Sequence, residues 1–170
     1  LGQGPVTIHP IAAMVTAAGT QDIIHLPPID LQVLPPVLAP ALNNQGKLEK
    51  GLKIILANGT AMACAEAKPN WLADAGVRAG EEFAVEAFVT ASTDDVYQFQ
   101  VLANMSVIVE IDGKMMDPLA SNRWNYIPAG FKRGLHKVAI RGKSSGAPRL
   151  DVRFGGPGTR NLITVAKHAP

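Results

Sequence analysis

Between Phe83 and Phe154, apolar side chains recur at every second residue in segment after segment. This alternation constrains the fold more than any other feature of the chain. Phe83, Val85, Ala87 and Val89 alternate with Ala84, Glu86 and Phe88, and Tyr97, Phe99, Val101 and Ala103 alternate with Gln98 and Gln100. Val107, Val109 and Ile111 form the next apolar face. His136, Val138 and Ile140 then oppose Lys137, Ala139 and Arg141, and Leu150, Val152 and Phe154 oppose Arg149, Asp151 and Arg153. A period of two sends alternate side chains to opposite faces of a strand, so each segment needs cover on one side only. Two facing sheets supply that cover. Short strands separated by turns at roughly 8 to 12 residue spacing predict an all-β fold, an antiparallel β-sandwich of jelly-roll-like form. No βαβ pattern is present.

The turn signals agree. Asn58-Gly59 lies between Leu52–Leu56 and Thr60–Ala65 and suits the positive φ angles of a type I′ hairpin, and Asp112-Gly113 turns the chain into Lys114–Met116. Trp71–Gly80 reads as one helical turn or a loop. Trp124, Tyr126 and Pro128 suggest a further strand, on which the two aromatic rings share a parity and so face either the core or an exposed platform. Residues 1–50 differ in texture. Seven prolines, from Pro5 to Pro40, interrupt short apolar runs such as Asp22–Leu26 and Ile29–Leu34, which excludes long helices and central strands. A Pro-rich N-terminal extension is therefore expected over 1–50, as the tail of a preceding module or as strands laid on the main domain, with the β-sandwich over 51–170.

Net charge is +2, too small to bind nucleic acid or an anionic membrane by charge alone, and no apolar run has the length of a membrane span. Charge is unevenly placed. Acids dominate from Glu66 to Asp117, and bases dominate from Arg123 to Lys167, where Asp151 is the only acid. Neighbouring acidic and basic strands that exchange cross-strand pairs account for this more simply than a basic face for an anionic polysaccharide. The single cysteine, Cys64, excludes an internal disulfide and a cysteine-based zinc cluster, and its apolar setting predicts a buried, unreactive thiol. The chain opens on Leu1 with no charged-then-apolar leader, from which an excised module of a larger bacterial protein is expected, secreted or at the cell surface.

Motifs for chemistry fail one by one. Gly142-Lys143-Ser144 has Lys137 where a phosphate loop needs its first glycine, and a turn and strand follow it instead of a helix. Gly155-Gly156-Pro157-Gly158 lacks dinucleotide spacing and reads as a loop. No Gly-x-Ser-x-Gly elbow occurs, and His9, His25, His136 and His168 are too scattered to ligate a metal together. His136 is expected to face the core and bond to backbone. The sequons Asn58-Gly59-Thr60 and Asn104-Met105-Ser106 are matches of chance frequency. Asp94, Asp95, Asp112 and Asp117 suit turns, with no calcium-loop spacing among them; an enzyme would require Asp94, Asp95 and Asp117 to converge. No catalytic residue, metal or cofactor is predicted.

The segment Tyr97–Ile140 resembles a known family, the β-sandwich module named for the N-terminal fragment of anthrax protective antigen. The resemblance lies in Val96-Tyr97-Gln98-Phe99, then Ile111-Asp112-Gly113-Lys114, then Gly134-Leu135-His136-Lys137-Val138-Ala139-Ile140, and extends over residues 51–158. It implies a β-sandwich accessory module of the kind found in bacterial glycosidases, toxins and fungal adhesins. In the family's sugar-binding branch two adjacent aspartates coordinate calcium; the matching positions here are Asn104 and Met105, so the resemblance implies that the calcium site is missing. Two functions follow. One is a non-catalytic accessory module, structural or adhesive, whose partners are polysaccharide or neighbouring domains of its parent. The other is a calcium-independent carbohydrate-binding module using Trp124 or Tyr126 as a platform. The candidate ligand-binding residues are Asn104, Asp112, Asn122, Arg123 and Trp124.

Overall fold

The computed structural model describes residues 4–19, 21–33, 36–43, 46–65, 70–116, 119–157, 159–162 and 167–169. They divide into two compact units, Leu1–Pro36 and Val37–Pro170.

The first unit is a pair of two-stranded antiparallel ribbons. β1 (Gly4–Ile8), β2 (Ile11–Val15), β3 (Gln21–His25) and β4 (Ile29–Val33) are nested, β2 pairing with β3 and β1 with β4. Pro10, Pro27 and Pro28 stand between strands, where their missing N–H interrupts no ladder. Val6 opposite Leu31 and Ile8 opposite Ile29 line one face of the outer pair, and Thr7 donates to Asp30 on the other at 2.7 Å.

The second unit is the sandwich. Its strands are β5 (Glu49–Lys50), β6 (Leu52–Leu56), β7 (Ala61–Cys64), β8 (Glu82–Ala91), β9 (Asp95–Ala103), β10 (Val107–Ile111), β11 (Lys114–Met115), β12 (Trp124–Phe131), β13 (Gly134–Lys143), β14 (Leu150–Gly156), β15 (Thr159–Leu162) and β16 (Lys167–His168). One helical turn, α1 (Trp71–Asp74), precedes β8. The larger antiparallel sheet runs β11-β10-β13-β8-β16-β5, with β6 pairing with β8 and β7 with β6; the smaller runs β12-β9-β14-β15. Among the described residues no helix is long and apolar enough to cross a membrane.

The inward faces are those expected from the alternation. Val85, Val89, Val109, Val138 and Ile140 of the larger sheet and Tyr97, Phe99, Val101, Val152 and Phe154 of the smaller are all at most 2% exposed. The rings form a packed layer, with Tyr97 stacked on Phe154 at 5.2 Å and Phe99 edge-on to Phe131 at 6.1 Å. Tyr97 carries a polar tip into this layer, and its hydroxyl lies 3.2 Å from Ser92 Oγ and donates to the Thr93 carbonyl. Trp71 of α1 closes one end, its Nε1–H donating to the Leu150 carbonyl at 2.7 Å.

Three local expectations are corrected. Asn58 does not take positive φ; only Gly59 does, at 81°, so the β6–β7 connection is a three-residue loop, Ala57 to Gly59, and not a type I′ turn. Asn58 Oδ1 accepts the Thr60 N–H, which favours the ordinary right-handed backbone there. The type I′ turn is at Asp112-Gly113, where both φ angles are positive, 49° and 80°. Cys64 is half-buried at the margin of the core because β7 is an edge strand with mostly exposed side chains. Gly155 and Gly156 end β14 and pair with β15, forming a hairpin arm instead of a loop.

Candidate functional site

The outer face of the smaller sheet has the most distinctive surface chemistry of the sandwich. Register places its side chains in rows across β12, β9 and β14: Trp124, Leu102 and Asp151; Tyr126, Gln100 and Arg153; Pro128, Gln98 and Gly155. The parity of β12 is settled by Ile127 and Phe131, which are buried, so Trp124 and Tyr126 point outward. Tyr126 is 60% exposed. Arg153 reaches diagonally across β9 and lays its guanidinium over the Trp124 ring, 4.5 Å from the centroid, while one of its nitrogens donates to Asp151 at 3.2 Å. Gln100 donates to the Gln98 amide oxygen at 3.1 Å, giving an amide row beside the phenol. The result is a surface with one exposed ring, hydrogen-bonded amides and a guanidinium stacked on an indole, suited to a flat polar ligand with an apolar face.

Beside it, a hollow of about 560 Å³ is lined by Met116, Leu119, Arg123, Trp124, Tyr126 and Pro128, among others. A larger groove of about 760 Å³ shares Met116 and Leu119 and runs over Ile55, Phe83, Ile108 and Met115. Its lining is mostly aliphatic, and its Arg141 is drawn to Glu110 at 3.7 Å. Glu82, Ser106 and Lys143 are its other polar lining residues.

The five candidate residues separate. Asn104, Asn122, Arg123 and Trp124 fall at one end of the smaller sheet, where the Asn122 N–H donates to the Ala103 carbonyl. Asn104 is committed to structure: its amide donates to the Ala147 carbonyl and accepts from the Arg149 N–H, while Met105 beside it is buried. Asn122 takes a left-handed φ of 59° at the turn entering β12. Asp112 lies elsewhere, bonded to His136 and to the Lys137 N–H.

His136 is completely buried, as its parity predicted, and stacks on Phe131 at 3.9 Å. Its Nε2 donates to the Lys132 carbonyl at 2.8 Å and its Nδ1 lies 2.7 Å from the Asp112 carboxylate. Both ring nitrogens are thus hydrogen-bonded. This pair joins the Asp112-Gly113 turn to the start of β13. It is part of the scaffold, with no open position for a reacting group.

Asp94 accepts from Lys132 Nζ at 2.9 Å and from the Arg133 N–H at 2.7 Å, Asp95 accepts from the Val96 N–H, and Asp117 lies outside the described residues. The Arg133 N–H first, and then the Lys132 ammonium, hold the Asp94 carboxyl below its usual range. Among the described residues no three His, Cys, Asp or Glu side chains could share a metal ion. Sequence reasoning missed Arg153, Gln98 and Gln100. Their shared outward parity was visible, but which strands neighbour β9, and so which rings they meet, was not.

An antiparallel β-sandwich domain carrying an aromatic, amide-lined and guanidinium-bearing outer face is the class that fold and surface define. No family model matches the chain, and no curated protein matches it in sequence. Solved structures are similar to it in fold. An anti-sigma factor domain-containing protein aligns with a TM-score of 0.59 over 88% of this chain and 55% of that one, at 14% identity. A β-glucosidase from Kluyveromyces marxianus, solved in complex with glucose, aligns with a TM-score of 0.50 over 62% of this chain and 16% of that one, at 9% identity. The chain thus spans about half the length of the first and a small part of the second. A PA14 domain of the MpAFP antifreeze protein aligns over 52% of each chain at 11% identity with a TM-score of 0.39. The all-β sandwich that the Tyr97–Phe99, Ile111–Lys114 and Gly134–Ile140 motifs implied is the fold observed.

Proposed function

We propose that this chain is a non-catalytic accessory module of a larger secreted or cell-surface protein, and that it binds carbohydrate without calcium on the outer face of the smaller sheet. The observation that carries this reading is the outward parity of Trp124 and Tyr126 beside Gln98, Gln100 and Arg153. A sugar ring has an apolar face of C–H groups and an equatorial rim of hydroxyls; a phenol ring covers the first, while amides and a guanidinium bond to the second. The commitments of Asn104 and the burial of Met105 favour binding without calcium, since neither presents a hard oxygen pair to solvent. An accessory role is supported by the fold's occurrence as a small part of a β-glucosidase chain.

A glycan array read with and without EDTA tests this. Binding should survive EDTA and fall about tenfold or more in Tyr126→Ala, as loss of a ring stacked at a binding face implies. Absence of binding to every glycan at millimolar sensitivity, or binding abolished by EDTA, would overturn the reading.

A further inference from the structure

We infer that the ligand of this face is an acidic polysaccharide, and that Arg153 reads a sugar carboxylate. This rests on the carbohydrate reading above and narrows its ligand class. The argument begins with what Arg153 does to Trp124. A bare indole on a flat sheet would offer its face to a neutral sugar, but here the guanidinium lies over that ring at 4.5 Å and occupies the stacking surface. The guanidinium has two partners: Trp124 lies beneath its plane, and Asp151 accepts from one nitrogen at 3.2 Å. Half of the Arg153 side chain remains exposed, so N–H groups not turned to Asp151 stand toward solvent in a preset plane. A planar fork of N–H donors matches a carboxylate bidentately and a lone hydroxyl poorly.

The neighbouring groups complete such a site. Tyr126 shares a row with Arg153 across Gln100, so a ring stacked on the phenol extends along that row toward the guanidinium. Arg123 lines the same hollow as Trp124 and Tyr126. Among the described residues, Arg123 and Arg153 thus border this face together with the carboxylate Asp151. A uronic acid, with an apolar ring face and one equatorial carboxylate per residue, satisfies both features at once.

The test compares an oligogalacturonate hexamer with its methyl ester, which has the same stereochemistry and no charge, by calorimetry and by indole fluorescence. Trp71 is buried, so a ligand-induced change reports Trp124. The acid form should bind at least about tenfold more tightly at low salt and lose that advantage as salt rises, as a charge-assisted surface contact must. Arg153→Gln should bring the two affinities to within about twofold, and Arg153→Lys, which keeps charge but not the planar fork, should fall between. Unchanged thermal melting would show that these variants fold. Equal binding of acid and ester by the parent protein, or an acid preference that survives in Arg153→Gln, overturns the inference and leaves the carbohydrate reading intact. If neither probe binds and the glycan array is also blank, both fall.

Discussion

At the scale of single residues, the most consequential pair is Asp112 with His136. Asp112 performs two tasks: its backbone takes the left-handed conformation of the type I′ turn, and its carboxylate bonds to both His136 and the Lys137 N–H. The two tasks separate by mutation. Asp112→Asn keeps a residue that tolerates positive φ and one oxygen acceptor, whereas Asp112→Ala loses the tolerance and both acceptors. Leaving a buried polar group without its partner costs about 1 to 3 kcal/mol, so Asp112→Ala should lose at least that much and Asp112→Asn less in urea unfolding. Equal losses would mean that the retained oxygen acceptor contributes nothing. Asp94 offers a pH test. Its carboxyl is held down by the Arg133 N–H and Lys132, so its folded value lies below its unfolded one. A depressed carboxyl stabilises fully above its unfolded value and loses that contribution as pH falls through the folded one. Asp94→Asn should therefore show a shallower drop in melting temperature between about pH 5 and pH 3 than the parent. A parallel drop in both proteins would remove Asp94 from the account. Of these residues, the core position of His136 was legible from strand parity; its partner was not, because Asp112 is 24 residues away and only the pairing of β10 with β13 brings them together.

At the scale of elements, alternation predicted β8, β9, β10, β13 and β14 because each has one face that must be dry and one that stays wet. β12 was harder to read, since Pro128 at its centre argues against an interior strand. The structure resolves this by making β12 an edge, with Pro128 facing outward opposite Gln98. The far edge of β12 is not left bare. Residues 37–42 cover its C-terminal end and pass on to β13: the Ala39 N–H donates to the Gly130 carbonyl, the Lys132 N–H donates to the Ala39 carbonyl, and the Leu42 N–H donates to the Leu135 carbonyl. The approach is close enough that a Cβ on Gly130 would stand 2.4 Å from the Val37 carbonyl oxygen. Gly130→Val should push this segment off and expose the strand's free N–H and C=O groups, which invites pairing between molecules. The expected outcome is concentration-dependent dimers or larger species by light scattering, with little change in far-ultraviolet circular dichroism. A monomeric Gly130→Val protein would mean that the edge is blunted by something other than residues 37–42. The prolines allowed strands laid on the main domain, but which edge residues 37–42 would meet was not legible, because an extended strap bound through its backbone leaves no periodic mark in its side chains.

At the scale of the whole molecule, the uneven charge along the chain becomes a pairing scheme. Basic β13 lies between acidic β8 and β10, and Lys137 meets Glu86 while Arg141 leans toward Glu110, each diagonally across the outer face. The alternative of a basic face reappears in reduced form on the other sheet, where Arg123 and Arg153 border the aromatic surface. The division of the chain has a physical consequence of its own. Among the described residues, the buried apolar core of the second unit runs from Leu52 to Phe154. The ribbon of β1 to β4 has instead a row of Val6, Ile8, Ile29 and Leu31 that remains 41 to 50% exposed. A two-stranded ribbon with its apolar face in water contributes little to stability. A shortened chain of residues 37–170 should therefore fold alone, melt within about 3 °C of the full chain, and keep its affinity for any glycan the full chain binds. Loss of the near-ultraviolet signal from the packed Tyr97 and Trp71 rings in the shortened chain would show that the sandwich depends on the ribbon, and would move the boundary of the folding unit to include it.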